Sequence, residues 1–174
     1  MMGILADYYG QDRMGTSLAV VLLGAALGWF ALVAVRLAVT DIRTHRLPNA
    51  VVLPSYPVAG LLLGGAAAGG GEPVRIAGML LGAAALWGGF FLLRLVNPAG
   101  LGFGDVKLAG LLGLYLGFLG PGQVLAGVVA AFVFGGVWGL ILIISRRGTG
   151  ATAVAFGPFL FLGAAVAMAA PGLQ

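Results

Sequence analysis

Long apolar runs alternate with short polar breaks along the whole chain. Runs over about 18–40, 50–68, 74–96, 105–119, 123–144 and 151–170 predict six helices, the fourth shorter than the rest. The breaks are rich in helix-ending residues: Gly69-Gly70-Gly71-Glu72-Pro73, Asn97-Pro98-Ala99-Gly100, Gly120-Pro121-Gly122, and Ser145 to Gly150. In the first break, 41–49, Pro48 disfavours a helical Leu47 and Asn49 is a candidate N-cap for the second helix. Pro54 and Pro57 predict a kinked start to that helix.

Composition turns these helices into spans. The chain of 174 residues is 61% hydrophobic and 8% charged, with mean hydropathy +1.11, which excludes an ordinary soluble domain. The fold class that follows is an all-α polytopic membrane protein with six transmembrane helices. A short N-terminal segment, 1–17, precedes a single domain over 18–174. That segment carries Asp7 and Asp12 against Arg13, the wrong charge for a secretory leader, so the first apolar run reads as a retained span. Among the 32 glycines, Gly60/Gly64, Gly78/Gly82, Gly113/Gly117 and Gly135/Gly139 fall four apart, the spacing that lets helices approach closely in lipid. Common glycine alone accounts for about half of such pairs.

Charge supplies an orientation. Arg36, Arg43, Arg46, Arg94, Lys107, Arg146 and Arg147 flank one set of breaks, whereas only Arg13 and Arg75 flank the other. By the positive-inside rule the first set is cytoplasmic and both termini lie outside. The nine basic residues are scattered in ones and twos, so no basic stripe for nucleic acid is present. Absent cysteine excludes disulfides and thiolate metal sites, and one histidine cannot build a histidine cluster, so neither metal nor other cofactor is expected.

The chemistry must then come from five acids: Asp7, Asp12, Asp41, Glu72 and Asp105. Asp41 ends the first span and Asp105 begins the fourth; two full crossings separate them, which puts both on one side of the membrane. A carboxylate at a hydrocarbon boundary is costly without water, a partner or a function. Asp105 stands in Gly102-Phe103-Gly104-Asp105-Val106-Lys107, where Gly102 and Gly104 permit a turn with positive φ and close approach of another backbone or a peptide. A plain helix start, with Asp105 as cap or first-turn acid and Lys107 snorkelling to the interface, fits the same residues. Two carboxylates brought together cannot both ionise freely and hold a shared proton at moderate pH, the arrangement that activates water in two-aspartate hydrolysis. His45 reads as a solvated interfacial side chain, and Trp29, Trp87, Trp138 and the tyrosines as packing or interface anchors.

Asp41, Leu47-Pro48-Asn49, the glycine-aspartate stretch 102–108 and Phe156-Gly157-Pro158-Phe159-Leu160 together resemble the type IV prepilin peptidases and their archaeal preflagellin relatives. The resemblance implies a membrane aspartic endopeptidase that cleaves the leader of prepilins or pseudopilins at the cytoplasmic face. It makes Asp41 and Asp105 the catalytic pair, with Gly102, Gly104, Lys107, Pro48, Asn49, Gly157 and Pro158 as supporting positions. The larger bacterial members carry an additional region with paired CxxC motifs. Without cysteine, this chain is expected to have peptidase but no methyltransferase activity, which an N-methylated product from the purified protein would refute. Two other classes use the same residues. A small transporter would employ the aspartates as a proton or cation relay, and a noncatalytic assembly subunit would use Asp105 only as a helix cap. A presenilin-like protease cutting within the bilayer shares the GxGD pattern.

Overall fold

A computed structural model describes residues 14–44, 47–98, 100–146 and 155–170. Among them the regular structure consists of six helices: α1 (Met14–Thr44), α2 (Asn49–Gly69), α3 (Val74–Val96), α4 (Phe103–Leu119), α5 (Pro121–Ile144) and α6 (Gly157–Ala169). Helix is what such a sequence must form in lipid, because the backbone has no water to satisfy its N–H and C=O groups. Four helices, α1, α2, α3 and α5, are long and apolar enough to cross a membrane, so this is a membrane protein. α4 and α6 have 17 and 13 residues, so helix length alone does not establish six crossings. Residues 1–13, His45, Arg46 and Arg147 lie outside the described residues, as do the acids Asp7 and Asp12.

α4 is the centre of the bundle. Its sequence is apolar on every side, and every residue from Leu108 to Leu119 is buried. α1 instead buries one stripe, Ala19, Leu23, Ala26, Phe30, Val33 and Leu37, spaced three or four apart, with leucines and valines on its outer face. Asp41 is the next position on that stripe and is 5% exposed, so helical periodicity carries this carboxylate into the interior. Higher in the bundle, the Phe30 ring packs edge-on against Tyr115 of α4, centroids 5.3 Å apart, and against Phe161 of α6 at 5.8 Å. The Tyr115 hydroxyl donates to the Ala26 carbonyl at 3.3 Å, tying α1 to α4.

Two of the four glycine pairs make the closest seam. α3 and α4 run antiparallel, and a Cβ built on Gly78 would stand 2.5 Å from the Gly117 carbonyl oxygen, one on Gly82 2.5 Å from that of Gly113. Gly60, Gly64 and Gly139 face open space, while Gly135 lies under the Phe156 ring.

Three local expectations are corrected. Asn49 is the first residue of α2 and does not cap it; the cap position is Pro48, extended at φ −69° and ψ 124°, whose carbonyl accepts the Val51 and Val52 N–H groups. Gly102 has φ −68° and Gly104 is helical, so neither adopts positive φ; among the described glycines only Gly71 and Gly120 do. Asp41 stands within the last turn of α1 instead of following it, since that helix continues to Thr44.

Candidate active site

The residues that bracket Asp105 create its setting. Gly102 is the N-cap position of α4 and Asp105 is the third helical residue. The Asp105 carboxylate turns back to accept the Gly102 N–H at 3.2 Å, satisfying a donor that the helix itself leaves unpaired. A Cβ on Gly102 would come within 3.2 Å of the same oxygen, and one on Gly104 would lie 2.9 Å from Cβ of Leu47. Both glycines thus serve close approach, Gly104 the more tightly, with φ unremarkable.

Asp41 is anchored from another element. Its Oδ2 accepts the N–H of Gly157, the first residue of α6, at 3.0 Å. That N–H is one of the donors a helix start leaves without an internal partner, and the positive end of the helix dipole favours a carboxylate there. Pro158, next in the helix, has no N–H to lose at this position. The space around the contact is tight: a Cβ on Gly157 would fall 2.7 Å from Asp41 Oδ2. Gly157→Ala is therefore expected to displace the Asp41 carboxylate, and any activity that depends on that carboxylate should fall about tenfold or more while folding persists, since a 1 Å misplacement in an active site costs about a hundredfold. Initial rates alongside a thermal melt check this.

Asp41 and Asp105 open into one cleft of about 330 Å³, whose walls include Leu47, Asn49, Phe103 and Lys107. The two carboxylates, 5% and 8% exposed, are close enough to interact electrostatically. Lys107 spans the cleft: its Nζ donates to Asn49 Oδ1 at 2.9 Å and lies 4.8 Å from the centre of the Phe103 ring. The Arg94 guanidinium stands 5.3 Å from the centre of the same ring and donates to the Leu101 carbonyl at 3.2 Å, so two cations lie against Phe103. Pro48 shapes the chain entering the cleft without lining it, and Pro158 likewise acts only through α6. His45 falls outside the described residues.

Tyr56, read from sequence as a packing or interface anchor, has a more specific place. Its hydroxyl donates to the Lys107 carbonyl at 2.6 Å, pinning α2 to the second turn of the helix that carries Asp105. Phe103 and Leu47 also contribute walls, although nothing in their spacing distinguishes them from other apolar residues. No group of three His, Cys, Asp or Glu side chains suited to a metal ion occurs among the described residues.

Helices that cross a membrane, with two buried aspartates facing one cleft at a bundle end, define a membrane protein equipped for carboxylate chemistry. The sequence matches the type IV leader peptidase family over residues 26–140, and the chain belongs to that family. The match includes both aspartates and ends before α6. Neither curated proteins nor solved structures provide a significant match.

Proposed function

We propose that the protein is an aspartic-type endopeptidase that removes the leader of type IV prepilins or secretion pseudopilins at the cytoplasmic face of the cell membrane, with Asp41 and Asp105 as the catalytic pair. Family membership supports peptidase activity. The observation that carries the aspartic mechanism is the shared cleft of the two carboxylates.

Two buried carboxyls sharing a proton give the required asymmetry. The ionised member takes a proton from water as the water oxygen attacks the scissile carbonyl carbon, and the protonated member gives its proton to the carbonyl oxygen. Collapse of the tetrahedral species breaks the C–N bond. Its hydroxyl proton returns to one carboxyl, and the other protonates the departing amine, yielding a new carboxyl terminus and a new amino terminus. No covalent enzyme intermediate forms. The N–H bonds from Gly157 and Gly102 hold one oxygen of each carboxyl, which fixes the orientation of the pair. The Lys107–Asn49 bond links the two sides of the cleft, and the small Gly102 gives a peptide backbone room to approach.

The proposed topology is a single domain of six crossings, with the shorter α4 enclosed by the other helices, α6 keeping Leu162 and Val166 on an outer face, and both termini outside. The bias of basic residues toward the aspartate end supports this orientation. Both aspartates occupy terminal turns, which favours hydrolysis at the membrane boundary over a mid-membrane relay.

The test uses the protein in liposomes with a type IV prepilin carrying its leader, and product masses locate the cut. Cleavage immediately before the hydrophobic segment is expected. A cut inside that segment would identify the presenilin-like mode, and failure to cut several prepilins and pseudopilins would overturn the assignment.

A further inference from the structure

Helix α4 is gripped differently along its length. Its second half lies in the glycine seam, where Gly113 and Gly117 meet the α3 backbone. Nearer its start the neighbours are side chains: a Cβ on Gly104 would meet Leu47, and one on Gly110 would run into the Tyr56 hydroxyl and stand 3.2 Å from Cβ of Trp87. The first two turns, which carry Asp105, therefore take their place from side-chain contacts. α2 supplies two hydrogen bonds to them, both at Lys107. Tyr56 donates its hydroxyl to the main-chain carbonyl at 2.6 Å, and Asn49 Oδ1 accepts from the ammonium at 2.9 Å. Asn49 and Tyr56 are two turns apart on one face of α2, so a single residue of α4 is held at its backbone and at its tip. The turn of α2 that bears Tyr56 is itself short of ladder bonds, because Pro54 and Pro57, on either side of it, have no N–H to offer the Ala50 and Leu53 carbonyls.

We infer that Tyr56 is a positioning residue for Asp105: its hydroxyl, seated in the notch left by Gly110, sets where the first turns of α4 stand relative to Asp41 on α1. Lys107 lies two residues beyond Asp105, about 200° around the helix, so Tyr56 bears on α4 from the side away from the carboxylate. Tyr56 stands outside the walls of the cleft, and its influence on the pair is transmitted through α4. Loss of the hydroxyl strands no buried acceptor, because the Lys107 carbonyl keeps the Leu111 N–H of its own helix. Tyr56→Phe therefore removes the tie between helices and leaves the ring and the α4 ladder in place. Its effect on cleavage rests on Asp41 and Asp105 being the catalytic pair; its effect on their separation does not.

The test compares Tyr56→Phe with Tyr115→Phe in the full chain. The second change deletes another interhelical hydroxyl bond of α4, the one to Ala26, about 12 Å further along the helix from Lys107. Both should lower the melting temperature by no more than about 4 °C, the scale of one hydrogen bond in a chain of this size. In prepilin cleavage Tyr56→Phe should reduce kcat about tenfold and leave KM within about twofold, whereas Tyr115→Phe should keep both within about twofold. Separation of the pair is read without cleavage. The chain has no cysteine, so Asp41→Cys/Asp105→Cys carries the only two thiols, which a short bifunctional thiol reagent should bridge. Adding Tyr56→Phe should slow that bridging about fivefold, and adding Tyr115→Phe should leave it unchanged. Native kcat in Tyr56→Phe, equal losses in the two tyrosine variants, or bridging indifferent to Tyr56→Phe would each overturn the role. A native protein that cleaves no prepilin would count against the peptidase reading alone, and the bridging rates would still decide whether Tyr56 places Asp105. Should the double-cysteine protein fail to fold, the kinetic comparison decides by itself.

Discussion

Asp105→Asn is expected to lower the rate of prepilin cleavage by about 10³, within the range of roughly 10²–10⁴ contributed by general acid–base groups. The amide retains the shape of the carboxyl, and its oxygen still accepts the Gly102 N–H that starts α4, so the helix should remain folded. It cannot carry the shared proton. Asp41→Asn should do the same for the same reason, its oxygen still able to accept the Gly157 N–H. The double variant should be scarcely worse than either single one, because residues that act as one unit do not contribute additively. Single-turnover cleavage by the three proteins, with melting curves as a control for folding, makes the comparison. If Asp105→Asn retained native activity, Asp105 would be only a helix-start residue and the paired mechanism would be wrong.

The second large effect concerns the seam beneath the site. Gly82→Val would place a branched side chain where a Cβ already falls 2.5 Å from the Gly113 carbonyl oxygen and 2.8 Å from Gly117 Cα. Backbone cannot move aside as a flexible side chain can, so α3 and α4 must separate. A cost of about 3 kcal/mol is expected, at the upper end of overpacking penalties. For a chain of this size that corresponds to a melting temperature lower by roughly 6–12 °C. Gly60→Ala and Gly64→Ala meet open space and should leave the melting temperature unchanged or raise it, since alanine favours helix by about 1 kcal/mol. Differential scanning fluorimetry in one detergent compares all three. A Gly82→Val protein as stable as the native one would show that the seam tolerates separation.

Helix content was legible because an apolar run in lipid has one economical way to satisfy its backbone. The helix ends were less so. Asn49 has the residue type of a cap, but Pro48, already extended, takes the cap position and leaves Asn49 to bond Lys107 from inside the first turn. Gly102 and Gly104 were legible as positions where bulk is excluded, yet the reason is contact with the Asp105 carboxylate and Leu47. Four-residue glycine spacing marks a face that can approach another helix, and it says nothing of which helix is opposite. Hence Gly78/Gly82 and Gly113/Gly117 interlock while Gly60/Gly64 do not.

By itself the sequence determined that this is a helical membrane protein, that Asp41 at the end of the first apolar run and Asp105 at the start of the fourth share one side, and that their motifs resemble leader peptidases. Those properties depend on hydrophobicity and on counting crossings, both local in the chain. Only the tertiary structure decided that the two carboxylates open into one cleft, that the first N–H of α6 anchors Asp41, and that Lys107 reaches Asn49 across the site. Each of these joins residues far apart in sequence, and its geometry depends on how the helices rotate and pack around α4, which hydrophobic periodicity alone does not specify.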